Sequence, residues 1–190
     1  MEANPSGGDG PDRPGVARAA PAVGPRPART GPALSPSRKE QTTAMPAALD
    51  AILAELRDSD RQERIDLLLD FSKNLPPLPP ELEARRDAEH RVEECQSPVY
   101  LFVEMIGDRV ALYGDAPAEA PTVRGFVSML LEGLNGASPE DVLKVPGDLV
   151  DRCGLTEVLG MLRVRGLSGV LRRIKRDVTR VAFAPNGTAP

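Results

Sequence analysis

Tryptophan is absent from this 190-residue chain, aromatic residues make up only 3%, and His90 is the single histidine beside two cysteines, Cys95 and Cys153. Each scarcity closes off a class of chemistry. One imidazole cannot build a multi-histidine metal site, and it leaves histidine-based catalysis with a single candidate. Two cysteines 58 positions apart make no disulfide framework and show no CxxC or Cys/His ligand spacing. No glycine-rich phosphate loop is present. No run of about 18 apolar residues occurs, nor a charged-then-apolar start of the kind that directs secretion. These absences predict a soluble, cytoplasmic protein with reduced thiols, no membrane span and no metal site.

Apolar residues reach 41%, so the core must be built mainly from leucine, valine, isoleucine and alanine. The net charge of −4 argues against a nucleic-acid partner. That total is unevenly spread. Residues 1–44 carry six basic and four acidic side chains, and residues 163–180 carry seven and one, which leaves the rest at −12. An acidic body with one basic C-terminal stretch suits oriented docking to a protein partner, although solvated helix faces produce the same pattern.

Residues 1–44 are rich in proline, glycine, alanine and arginine, with no aromatic residue and no apolar period, and are expected to be disordered. The arginines would suit a transit peptide, but Glu2, Asp9 and Asp12 count against one. A dispensable extension or a mis-called start, with the fold beginning near Met45, is the simpler reading. The expected domain then runs over 45–182, with a short flexible end at 183–190.

From Pro46 helical spacing begins. Leu49, Ile52, Leu53 and Leu56 predict a helix over 47–57. Ile65, Leu68, Leu69 and Ser72, following the cap Asp58-Ser59-Asp60, predict another over 60–73. The run from Asn74 to Pro80 must be extended; its leucines either pack onto the core or serve a proline-recognising partner. Two β-rich runs, 99–105 and 109–114, flank Gly107-Asp108 and predict a hairpin, with Arg91-Val92-Glu93 as a third strand. Beyond Pro121, Val123, Phe126, Val127, Leu130, Leu131 and Leu134 return to helical spacing. Ser138-Pro139 opens a further helix, short helices follow near Leu149 to Leu159, and the last carries Leu167, Val170, Leu171, Ile174 and Val178. The expected class is α+β, a small three-stranded antiparallel sheet packed with helices.

The two cysteines differ in setting. Cys153 lies in an apolar helical run and reads as a buried structural thiol. Cys95, in Glu94-Cys95-Gln96-Ser97-Pro98, falls on a connection with polar neighbours, where some solvent access is expected. It is a candidate nucleophile, with a small buried core residue as the other reading. Glu94 beside it should raise the thiol pKa.

At Cys95 the residues also carry a resemblance. Asn74-Leu75-Pro76-Pro77-Leu78-Pro79, His90-Arg91-Val92-Glu93-Glu94-Cys95-Gln96-Ser97-Pro98, Val123-Arg124-Gly125-Phe126 and Arg163-Val164-Arg165-Gly166-Leu167 follow, in order, the pattern of the SufE sulfur-acceptor proteins. The similarity spans about residues 47–178. Two departures stand out: Glu94 replaces a usual glycine, and Gly160-Met161-Leu162 replaces Ser-Pro-Ser.

The resemblance implies a SufE-like fold, shared with iron–sulfur scaffolds, and a function in sulfur relay. Cys95 would take persulfide sulfur from a pyridoxal-phosphate (SufS-like) cysteine desulfurase and pass it to a SufBCD-like scaffold complex. Such a protein is a partner of an enzyme, not a stand-alone one, and needs no cofactor of its own. Gln96, Ser97, Arg124 and Arg163 would support the thiolate or dock the partner, Arg124 from an exposed helix-opening position. Gln96 could equally close the loop, and either arginine could be an exposed or capping residue. The alternatives are a scaffold-like protein, for which two cysteines are few, and an adaptor with an inert Cys95.

Overall fold

The computed structural model describes residues 45–183; the expectations for 1–44 and for 184–190 lie outside the described residues. Helix α1 (Ala47–Asp58) buries Leu49, Ile52, Leu53 and Leu56, the one face that their spacing defines. Helix α2 (Arg61–Lys73) begins at a capping box. The Asp60 carboxylate accepts from the Gln62 and Glu63 N–H groups, and Glu63 accepts from the Asp60 N–H at 2.7 Å. After Asn74 the proline run lies on the core, with Leu75 and Leu78 buried and Pro76 and Pro77 exposed. A single turn, α3 (Pro80–Glu83), sets Leu82 with Leu78 and Phe102 in a satellite cluster.

The hairpin forms as expected. Strands β1 (Tyr100–Ile106) and β2 (Arg109–Asp115) pair antiparallel from Tyr100 opposite Asp115 to Ile106 opposite Arg109. Gly107, at φ 64°, takes the left-handed conformation that this tight turn requires.

The third strand does not form, and among the described residues the sheet has two strands. Arg91 makes only an isolated bridge to Tyr100, with Val92 N–H donating to Val99 O at 2.8 Å and Leu101 N–H to His90 O at 3.0 Å. Pairing stops because the chain reverses within a few residues. Cys95 N–H already turns back to Val92 O at 3.2 Å, and Pro98 has no N–H to offer a ladder. The turn that ends the strand carries the cysteine.

Helix α4 (Pro121–Leu134) is the central element: ten of its 14 residues are buried, so it has no broad solvent face. It packs against α1, α2, β2 and the last helix. A Cβ at Gly125 would fall 1.9 Å from Leu68 O, so only glycine lets the α2 backbone lie this close. Helix α5 (Pro139–Lys144), capped by Ser138, then α6 (Leu149–Arg152) and a 3-10 turn (Leu155–Glu157) lead into α7 (Met161–Phe183).

Helix α7 buries Leu167, Val170, Leu171, Ile174 and Val178, and β1 packs on it. The same helix buries a charged pair, Arg173 and Asp177, with Nε 2.5 Å from Oδ2. Arg173 also donates to the carbonyls of Glu89 and Arg91, the latter at 2.7 Å. The start of the cysteine-bearing segment is thereby stapled to α7. Among the described residues, no helix is long and apolar enough to cross a membrane.

Candidate functional site

Val92 and Val99, both buried, anchor the two arms of the connection that carries Cys95. Between them the chain must reverse over α7, and the cysteine comes down on the helix at Gly166. A Cβ there would lie 3.3 Å from Cys95 Sγ, a close fit that glycine leaves open. The thiol donates weakly to Gly166 O at 3.5 Å.

Expected to have some access to solvent, Cys95 is instead only 5% exposed. The local composition is polar, but the ceiling over the sulfur comes from elsewhere in the chain. A cleft of about 270 Å³ opens at this point. One wall is Cys95-Gln96-Ser97, a second the β2–α4 connection Glu119 to Val123, and a third Leu162, Arg163 and Gly166 of α7. Gln96 and Arg163 are exposed and Ser97 half-buried. Met161 and Leu162, which stand where the resembled pattern has proline and serine, expose large apolar side chains at the start of α7, and Leu162 lines the cleft.

The electrostatics keep the thiol protonated. Burial pushes its pKa up to about 11, and the neighbouring Glu94 carboxylate pushes in the same direction. Glu94 itself is held below its ordinary value, first by a hydrogen bond from its own backbone N–H and then by Arg172, while burial opposes both. At neutral pH a thiol with this pKa is ionised to about one part in ten thousand, against a few per cent for a free cysteine. Seated on Gly166, Cys95 is a poor nucleophile.

The structure thus brings Cys95, Gln96, Ser97 and Arg163 around one cleft and leaves Arg124 outside its lining. Arg124 is half-buried rather than exposed. Its Nε donates to Ser72 O at 2.9 Å, Nη1 to Ala116 O at 2.5 Å and Nη2 to Leu75 O at 3.4 Å. It ties the end of α2, the proline loop and the start of the β2–α4 connection together, and so positions one wall of the cleft from behind. Replacing Arg124 with alanine is expected to destabilise the fold by on the order of 2 kcal/mol, since charged donors to buried carbonyls are lost. Urea unfolding measures it; a change within about 0.5 kcal/mol would return the residue to the surface role that its position in the sequence suggested.

Cys153 has no exposure and donates to Leu149 O at 3.0 Å. His90 is buried too, its ring stacked on Phe102 at 4.5 Å and its Nδ1 2.8 Å from Asp87. Sequence reasoning held Gly166 only as part of a motif, with no role given to it, and passed over Gly169. The available signal was two glycines, three apart, inside an amphipathic arginine-rich helix, where each weakens the helix by about 1 kcal/mol relative to alanine unless close packing requires it.

Comparison with known proteins points one way. The family model described as "SufE: Fe-S metabolism associated domain" matches residues 50–178. An "Uncharacterized SufE-like protein" of Mycobacterium tuberculosis (strain H37Rv) is 42% identical over 134 residues, 70% of this chain and 92% of that protein. The "Cysteine desulfuration protein SufE" of Plasmodium vivax is 30% identical over 116 residues, 58% of this chain and 43% of that one. Among solved structures, the solution structure of a hypothetical protein from Thermus thermophilus superposes with a TM-score of 0.65 at 35% identity, covering 74% of this chain and all of that one.

Proposed function

This chain belongs to the SufE family, and we propose that it accepts sulfane sulfur on Cys95 from a pyridoxal-phosphate cysteine desulfurase and hands it to an iron–sulfur scaffold complex. The observation that carries the reading is Cys95 at the floor of a small cleft, on a turn seated against Gly166. The Cys95 thiolate attacks the outer sulfur of the donor's persulfide. A new S–S bond forms to Cys95, the donor's S–S bond breaks, and the donor's cysteine leaves as a thiolate. The product is Cys95-S-SH, with atoms and electrons balanced and no cofactor needed on this chain.

Burial gives this thiol two duties. A persulfide returned to the cleft is shielded from water and from competing thiols during transit. The same burial forbids attack on a sulfur carried by another protein, because neither reach nor thiolate is available in the seated position. The turn therefore opens on docking, which restores an ordinary thiolate fraction, a gain of about three hundredfold at neutral pH. Arg163 at the cleft wall supports the thiolate as it emerges, Gln96 and Ser97 face the donor, and Met161 and Leu162 offer it an apolar landing. Arg124 acts behind the site as a positioning residue.

Incubation of the full chain with a cysteine desulfurase and free cysteine is expected to add one sulfur atom, seen by intact mass without reductant and mapped to the Cys95 peptide. Desulfurase turnover should rise with the amount of the chain added. An unchanged mass, or sulfur on Cys153 alone, would sink the reading.

A further inference from the structure

We propose that Glu94 and Arg172 form a latch that holds the Cys95 turn closed on helix α7, over a seat made by Gly166 and Gly169. The inference rests on the reading of Cys95 as the sulfur-carrying thiol. Gly166, Gly169 and Arg172 follow one another at three-residue intervals, so they share one face of the helix. A Cβ at Gly169 would come 2.7 Å from the Cβ of Glu94, just as one at Gly166 would come 3.3 Å from Cys95 Sγ. Two missing side chains thus let two consecutive turn residues lie on the helix backbone. One turn further on, Arg172 Nη2 reaches Glu94 Oε1 at 3.2 Å.

The two neighbouring arginines of α7 hold the segment in different ways. Arg173 is buried, paired with Asp177 and bonded to the Glu89 and Arg91 carbonyls; breaking it leaves a charge stranded in the core, so it is a permanent staple. Arg172 and Glu94 have side chains 59% and 37% exposed, and such pairs are weak enough to open and close in water. The boundary between fixed and movable chain falls between Arg91 and Glu94. Beside the pair lies an open groove of about 660 Å³, which leaves Glu94 room to swing away. Arg176 also acts on Glu94 from the same helix. A docking partner that takes over either charge of the latch releases the turn. Glu94 is the position at which this chain carries a carboxylate where the resembled pattern has glycine.

The test is the rate at which iodoacetamide alkylates Cys95 in the full chain at neutral pH and low salt, followed on the Cys95 peptide. Arg172→Gln is the decisive variant. Acting only through its charge, loss of a nearby cation would make the thiolate scarcer and slow the reaction. Loss of the latch instead speeds it, by about twofold to fivefold, the range that a partly exposed ion pair supplies. Glu94→Gln should speed it as well, whereas Arg172→Lys, which keeps the cation opposite Glu94, should stay close to the parent rate. High salt should accelerate the parent more than Arg172→Gln, because the variant lacks the direct pair and keeps only the weaker pull of Arg176 on Glu94. Gly169→Ala removes the seat without touching a charge and should accelerate alkylation at either salt concentration. Melting temperatures near the parent's exclude general loosening. Alkylation of Arg172→Gln at or below the parent rate, or an acceleration by Arg172→Lys as large as that of Arg172→Gln, overturns the latch. No desulfurase enters these measurements, so the latch and the sulfur-acceptor reading can fail separately.

Discussion

A Cys95→Ser protein is expected to fold like its parent and to gain no sulfur at all from a desulfurase supplied with cysteine. Serine fits the seat, since its hydroxyl can donate to Gly166 O where the thiol now does. It is also far too weak a nucleophile toward persulfide sulfur to replace the thiolate. Cys153→Ser should behave in the opposite way. That side chain is fully buried, and its hydrogen donates to Leu149 O, an acceptor that a serine hydroxyl can keep. The destabilisation should therefore be on the order of 1 kcal/mol, below the penalty for an unsatisfied buried hydroxyl, and sulfur uptake by the folded protein should persist. The two variants are informative together, because lost uptake alone could be misfolding. Sulfur bound to the Cys95→Ser protein, or undiminished stimulation of a desulfurase by it, would show that the thiol assignment is wrong.

The largest loss of stability is expected from Arg173→Met. Arg173 is 6% exposed, and its guanidinium holds Asp177 and the Glu89 and Arg91 carbonyls at once. Without it, Asp177, only 3% exposed, keeps a charge in the core. Breaking one side of a buried pair costs about 3–5 kcal/mol. Arg176 and Arg180, at 3.7 and 3.8 Å from Asp177 Oδ1, soften the loss, which places the expected value near about 3 kcal/mol. Against the typical stability of a domain, about 5–15 kcal/mol, that is a severe change. Adding Asp177→Leu to Arg173→Met should recover part of it, since the stranded charge is then gone. Urea unfolding of the single and double variants measures both quantities. A double variant less stable than Arg173→Met would show that the charge is not what the arginine is needed for.

Much of the architecture was legible because it depends on near neighbours in the chain. The faces of α1, α4 and α7 follow from apolar residues three and four apart, and those residues are buried. The hairpin follows from two β-rich runs about a Gly-Asp pair, and the break after Asn74 from prolines that no helix accepts. The cysteine could be singled out from its polar connection and from the company of its motif, as could the structural character of Cys153.

Three features were not legible, for one physical reason. Arg91-Val92-Glu93 has the composition of a strand, but a strand needs a partner that stays alongside, and here the chain turns away at Cys95 after one bridge. Arg124 opens a helix, where side chains are commonly exposed, yet its guanidinium is spent on carbonyls up to 52 residues earlier. Cys95 has polar neighbours, yet its sulfur is covered by a helix and bonded to a carbonyl 71 residues later. Spacing and turn chemistry are properties of adjacent residues, so the sequence by itself determined the helices, the hairpin and the identity of the candidate thiol. Which polar groups are buried, and what each of them touches, depends on segments that meet only after folding. Tertiary structure alone therefore decided that the thiol is sheltered, and that α7, through Gly166, Gly169, Arg172 and Arg173, is the element that shelters it.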